Sequence, residues 1–276
     1  MITAMPSFIP HPSAFRLVFF DCDSTLTSIE GIDELARLKG QFDHIADLTR
    51  RAMEGGIKLE EVFATRLDLL RPTRADLRRI AQAYRDTIVP DAKEVIAALR
   101  FAGCRVYIVS GGLLPAVQDF ARSLGLPSQY VRAVPIEFDQ LAGQWWRYDQ
   151  HQYGGNPDER YLAFAPTPLT ETQGKRTIIA EISGGEKHAM LVGDGVTDLE
   201  ARDAVKLFVG FGGVVRRERV AAEAAVFIES NSLASIVPLA LSKEQIDLLK
   251  GTEHAAVLQR GLNDIEQGRV RFHDRH

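Results

Sequence analysis

A chain of 276 residues that is 45% apolar and 25% charged has the make-up of an ordinary globular protein, long enough for one large domain or for a core with a smaller lid. Its net charge of −4 supplies no field that would draw nucleic acid or an anionic membrane, so neither is expected as a partner. Two cysteines, Cys22 and Cys104, make neither a disulfide framework nor a zinc site and point to a reducing, cytoplasmic setting; no stretch reads as a signal peptide or approaches the roughly 18 apolar residues of a membrane helix.

Residues 1–14 carry Pro6, Pro10 and Pro12 with little periodicity and read as a loosely docked arm. Arg16 to Asp21 is expected to be the first strand, because Leu17-Val18-Phe19-Phe20 is a short apolar run bounded by polar residues. From Glu30 to Tyr84 the apolar period becomes helical. Ile32, Leu35, Ala36 and Leu38 mark one face, Leu59, Val62, Phe63, Leu67 and Leu70 a second, and Leu77, Ile80 and Ala83 a third, with Gly40, Gly55-Gly56 and Pro72 as breaks.

Strands and helices then alternate. Helices are expected over Lys93–Arg100, Leu113–Leu124, Lys175–Glu181 and Asp198–Ala204. Strands are expected over Arg105–Val109, Gln129–Val134, His188–Val192 and Leu207–Gly210, with Val226–Ile228 closing the sheet. This rhythm predicts an α/β fold: a three-layer, Rossmann-like core around a mostly parallel sheet, with a small helical bundle inserted after the first core strand. The expected division is a core over residues 15–28 and 86–241, a helical cap over 29–85, the arm over 1–14 and a polar helical tail over 242–276 of open role. Val134 to Thr172, with Trp145 and Trp146, reads as a hairpin plus a long loop.

Chemistry is expected where strands end. Asp21 and Asp23 follow the first strand two residues apart, so both carboxylates emerge on one side at the mouth of the sheet, where α/β folds bind ligands. One can attack and the other can handle protons, with a divalent cation between them; read locally, the same residues also fit an acidic turn. Cys22, between them, should point away into packing. Ser110-Gly111-Gly112 follows the second strand and opens a helix, which suits either an anion or simple capping. Asp194 follows another strand and is placed to ligate a hard cation such as Mg2+; Asp198, at the helix start, reads equally as a capping acid. Lys175 opens a helix and on local sequence belongs to the surface.

These elements occur in one order: the Asp21-Cys22-Asp23-Ser24-Thr25 pair, Ser110-Gly111-Gly112, Lys175, then Gly193-Asp194-Gly195-Val196-Thr197-Asp198. In that order the chain resembles the haloacid dehalogenase superfamily of phosphatases, and most closely its phosphoserine phosphatase branch. Glu30-Gly31-Ile32-Asp33-Glu34-Leu35-Ala36, Thr49-Arg50-Arg51-Ala52-Met53, Arg66-Leu67-Asp68-Leu69-Leu70-Arg71-Pro72 and Phe208-Val209-Gly210-Phe211-Gly212-Gly213 extend the resemblance over roughly residues 15–240.

The resemblance implies that Asp21 is phosphorylated and that Asp23 acts as general acid and base. It implies that Mg2+ is held by Asp21, the Asp23 backbone carbonyl and Asp194, with Asp198 behind them, and that Ser110, Gly111 and Lys175 hold the phosphoryl oxygens. It makes the helical insertion a mobile cap in which Glu30 and Arg66 take the ammonium and carboxylate of a small phosphomonoester substrate, with Met53 and Thr197 lining the cavity. Three features depart from the branch: Leu59 in place of an aromatic residue, the longer segment around Trp145, Trp146 and Tyr153, and the tail after about residue 242. Hydrolysis of phosphoserine in serine biosynthesis is the first expectation. Phosphoryl transfer to a small alcohol such as homoserine, action on another small phosphomonoester, and a silent binding relative are the alternatives. A homodimer is compatible with the sequence.

Overall fold

The computed structural model describes residues 15–53, 59–139, 159–186 and 188–273, with residues 49–53 and 59–60 described by backbone alone. The arm, Gly55-Gly56, Trp145, Trp146 and Tyr153 lie outside the described residues, as do the side chains of Met53 and Leu59.

β1 (Leu17–Phe20) is flanked by β2 (Arg105–Leu113) and β6 (Ala189–Gly193) in a seven-stranded sheet of order β3-β2-β1-β6-β7-β8-β9, where β3 is Val131–Val134, β7 Leu207–Phe211, β8 Val226–Ile228 and β9 Val270–Phe272. Every neighbouring pair is parallel except the last. Parallel strands covered on both sides need apolar side chains in both directions, and β1 shows it: Val18 and Phe20 enter one core, Leu17 and Phe19 the other. The first core also takes in α5 (Ala92–Phe101), α6 (Leu114–Ser123), α10 (Ile236–Ala240) and α12 (Ala255–Glu266). The second is built with α7 (Gly174–Ser183), α8 (Val196–Glu200) and α9 (Glu218–Glu223).

Val226–Ile228 does not close the sheet. The tail folds as α11 (Lys243–Leu249), α12 and β9, and β9 pairs antiparallel with β8 as the edge strand. Val257, Leu258 and Ile265 bury one face of α12, so the tail extends the core. β2 is also longer than expected. It runs through Ser110-Gly111-Gly112 to Leu113 and resumes pairing with β3 at Leu113–Val134 after a register shift.

Between β1 and α5 stand α1 (Gly31–Leu38), α2 (Phe42–Met53), α3 (Leu59–Leu70) and α4 (Arg74–Asp86). α1 packs on α2 and α4, α2 on α3, and α4 against α6. The chain enters and leaves this block side by side: Thr27 bridges Ile88, and the Thr27 and Thr87 hydroxyls are 2.7 Å apart. β4 (Ile136–Phe138) and β5 (Tyr161–Phe164) form the expected hairpin, which is stitched to the α3–α4 turn by the Thr73–Arg160 bridge and by the Tyr161 N–H donating to the Pro72 carbonyl at 2.8 Å.

Candidate active site

Register brings the acids and the serine together. Phe20 lies opposite both Ile108 and Val192, so Asp21, Ser110 and Asp194 follow at the same level, at the carboxyl end of β1 and β6 and beside it on β2. The Asp21 N–H still donates to the Val192 carbonyl at 2.9 Å, which holds its side chain at the strand end. One carboxylate oxygen of Asp21 accepts from the Cys22 N–H at 2.8 Å, and the other is 2.7 Å from Lys175 Nζ. Cys22 itself is fully buried, its side chain in the first core.

Lys175, assigned to the surface by its local sequence, is 7% exposed. α7 carries it inward, and its ammonium also lies 2.7 Å from Asp198 Oδ1. Burial works to strip that proton, but the Asp198 and Asp21 carboxylates outweigh it and hold the ammonium charged well above its ordinary range. Asp198 has no exposed surface, and its Oδ2 accepts from the Gly195 N–H at 3.1 Å, so it caps α8 and faces the site at once. Only glycine fits beneath it, because a Cβ on Gly193 would lie 2.3 Å from Asp198 Cγ.

Carboxylate oxygens of Asp21, Asp194 and Asp198 all lie within 4.8 Å of one another. Asp194 accepts from the Thr25 hydroxyl at 3.2 Å and from Arg217 Nε at 3.0 Å. Burial first, and the nearby Asp21 second, push the carboxyls of Asp194 and Asp198 above the usual carboxylate range. Buried like charges with oxygen-only donors are the setting a hard divalent cation favours, so the residues present fit such an ion.

Asp23 stands apart from that cluster. Its Oδ1 accepts from the Gly31 N–H at 3.1 Å, and the Tyr84 hydroxyl lies against that same glycine. Burial and the nearby Glu30 raise its pKa well above the usual range, against the pull of Tyr84 and the Gly31 N–H. Ser110 is fully buried, and its hydroxyl oxygen accepts from the Gly112 N–H at 3.0 Å; Gly111 is exposed beside it.

A cavity of about 460 Å³ opens over these groups and is lined by Asp21, Asp23, Ser110, Gly111, Lys175, Asp194 and Thr197, and from the helical block by Glu30 and Arg66. Ser24, in a left-handed backbone conformation (φ 52°), turns its hydroxyl onto Glu30 Oε1 at 2.9 Å. Glu30 is pushed above its usual range, chiefly by burial. Among the described residues Arg66 Nε is buried without a hydrogen-bond partner, and burial lowers the guanidinium pKa against the pull of Asp33 and Glu30. Apolar walls are supplied by Ile32, Phe63, Leu77 and Ile80.

A family model for haloacid dehalogenase-like hydrolases matches residues 15–205. The chain belongs to the haloacid dehalogenase-like hydrolases. Among its relatives in this family, the phosphoserine phosphatase of Drosophila melanogaster is 32% identical over 216 residues, 77% of this chain and 74% of that protein. A solved structure of a phosphoserine phosphatase carrying a phospho-aspartyl intermediate analogue is 26% identical, over 82% of this chain and 98% of its own, with a TM-score of 0.63. The DsGPDH structure of Dunaliella salina is 28% identical with a TM-score of 0.63, and there the match covers 78% of this chain but only 34% of the longer one.

Two residues of this hydrolase's cavity escape a motif reading. Arg217 reaches Asp194 and also Glu30 Oε1, at 3.5 Å, from the loop that follows β7. The Gly212-Gly213 turn ahead of it is a sign that this loop too ends at the mouth. Tyr84 has no such sign, since it lies on a helix whose local pattern is only that of an apolar face.

Proposed function

We propose that this hydrolase converts L-phosphoserine to L-serine and phosphate in a Mg2+-dependent reaction through a phosphorylated Asp21, as the last step of serine biosynthesis in the cytoplasm. The observation that carries the reading is the pairing, in one cavity, of a carboxylate pinned by a buried lysine with Glu30 and Arg66, whose Nε has no partner among the described residues. A phosphate ester that also bears an ammonium and a carboxylate needs an anion for the first and a guanidinium fork for the second.

Asp21, held by the Cys22 N–H and Lys175, presents a carboxylate oxygen to phosphorus. As the new P–O bond forms, the ester P–O bond breaks and Asp23 gives its proton to the serine oxygen. Its raised pKa supports a proton-bearing Asp23 at that moment. Asp23 then takes a proton from the water that attacks the same phosphorus, releasing phosphate and restoring Asp21. Lys175, the Ser110 hydroxyl and the Gly111 N–H hold the phosphoryl oxygens, and such positioning and charge stabilisation supply most of the rate in phosphoryl transfer. Asp21, Asp194 and the Asp23 backbone carbonyl would hold Mg2+, with Asp198 behind them, and the ion would neutralise charge on the phosphoryl group. The two free, buried thiols Cys22 and Cys104 support a reducing compartment.

The test is phosphate release from L-phosphoserine beside a panel of phosphomonoesters, with Mg2+ and with a chelator. Preference for L-phosphoserine that the chelator abolishes is the expected result. Turnover of other esters but not of phosphoserine would remove the substrate assignment and leave the Asp21 chemistry. Repeated with an added small alcohol such as homoserine, the appearance of the phosphorylated alcohol in place of free phosphate would make the chain a transferase.

A further inference from the structure

The four aspartates in and beneath the cavity differ in how they are held. Asp21 and Asp198 share Lys175, and Asp194 has Thr25 and Arg217. Asp23 lies in the turn beyond β1, half-buried at the cavity wall, with no salt bridge reaching it from these cations. Its carboxylate is held from the helical block instead, by the first N–H of α1 at Gly31, and the hydroxyl of Tyr84, in the last turn of α4, lies against that glycine in the same cavity wall.

Tyr84 is built in tightly. It is 1% exposed, and its ring packs against Phe120 with centroids 5.5 Å apart. A Cβ on Gly31 would lie 2.0 Å from its hydroxyl oxygen, so the phenol is wedged beneath the start of α1 and only glycine fits above it. Phenylalanine would fill the same space without burying a polar group, and a buried phenol needs a partner to offset its lost hydration. The acid at hand is Asp23, bound to the N–H of the same Gly31 on which the phenol bears. The other carboxylate oxygen, Oδ2, faces the Ser110–Gly112 stretch of β2: a Cβ on Gly112 would lie 3.4 Å from it.

We propose that Tyr84 is the positioning residue for Asp23: its hydroxyl and the Gly31 N–H fix the carboxyl group from behind, so that the group hands its proton to the leaving oxygen in one orientation. This rests on the phosphatase reading above. It also ties proton delivery to the seating of α1 and α4, since both donors belong to those helices and Asp23 to the core.

Leaving-group chemistry tests it. An alkyl ester such as L-phosphoserine expels a basic alkoxide that needs the proton, whereas p-nitrophenyl phosphate expels a phenolate stable without one. The measured quantity is the ratio of kcat/KM for the two esters, taken on one preparation of Tyr84→Phe and so indifferent to the fraction of protein folded. kcat/KM reports the steps up to the first product, where the proton is delivered. The ratio should fall by about tenfold relative to wild type, the worth of one hydrogen bond to a charged group, and Asp23→Asn should shift it further in the same direction. An unchanged ratio in Tyr84→Phe, whatever the overall loss, would overturn the assignment and leave Tyr84 a packing residue. If wild type cleaves the aryl ester but not phosphoserine, the substrate reading falls and the ratio is taken with β-glycerol phosphate as the alkyl ester. If wild type cleaves neither, the phosphatase reading falls and the Tyr84 assignment with it.

Discussion

Lys175→Met keeps the length of a buried side chain and removes its charge. In the native site that charge stands 2.7 Å from Asp21 and 2.7 Å from Asp198, with Asp194 in the same cluster. Removing one partner of a buried ion pair leaves the other uncompensated, at a cost of about 3–5 kcal/mol. Here two carboxylates lose their partner, and protonation of Asp198, already favoured by its burial, keeps the loss from rising far beyond that range. At about 2–4 °C per kcal/mol for a chain of this size, the unfolding midpoint of metal-free protein should fall by about 6–20 °C. The gap between variant and wild type should narrow toward mildly acidic pH, where the carboxylates take up protons. The assay is thermal unfolding followed by circular dichroism, in chelator, at neutral and mildly acidic pH, with phosphate release on the same samples. Release should fall by at least about 10²-fold, as when a transition-state donor is deleted. A midpoint within about 2 °C of wild type, on the same conversion, would refute the claim that Lys175 holds the two acids together.

Arg66→Ala should reduce turnover of phosphoserine by about 10-fold or more while leaving an ester without a carboxylate little affected, since a charge-assisted bond is at stake only with the former; steady-state rates on the two substrates decide it, and equal losses would remove Arg66 from recognition. Stability of the metal-free chain should fall as pH rises from the ordinary carboxylate range, about 4, toward neutrality. Asp23, Glu30, Asp194 and Asp198 all have raised pKa values, so the folded chain binds more protons than the unfolded one across that window, and their contribution is present at its acidic end and lost as pH climbs through the raised values. Mg2+ added at neutral pH should restore the midpoint and do less at the acidic end; a midpoint that rises with pH in chelator would contradict this.

Much of the core was legible because strand ends carry their own signal. An apolar run followed by acids marks β1 and β6, and the parallel register then sets Asp21 beside Asp194. Lys175 could not be placed by local sequence, because what buries it is Asp21, far away in the chain, together with Asp198. The extension of β2 through Ser110-Gly111-Gly112 depends on pairing with β3, which no property of two glycines announces. β9 has three residues and one arginine among them, too short for periodicity to show, and it exists because β8 offers an edge. On α4 the apolar period marks Ala83, whereas the structure buries Tyr84, whose hydroxyl is wedged against Gly31 at the boundary between the helical block and the core. Leu38, placed on the apolar face of α1, is 47% exposed, at the end of a helix whose contacts come from its earlier turns.

Covalent phosphorylation of Asp21 is the step on which the account depends. Wild-type protein mixed with phosphoserine labelled in its phosphate, quenched in acid within milliseconds and digested, should yield label on the peptide that contains Asp21. That label should be released by hydroxylamine, as an acyl phosphate is, and should be absent from Asp21→Asn. Turnover of phosphoserine with no labelled carboxylate, or label carried by another residue, would contradict the account.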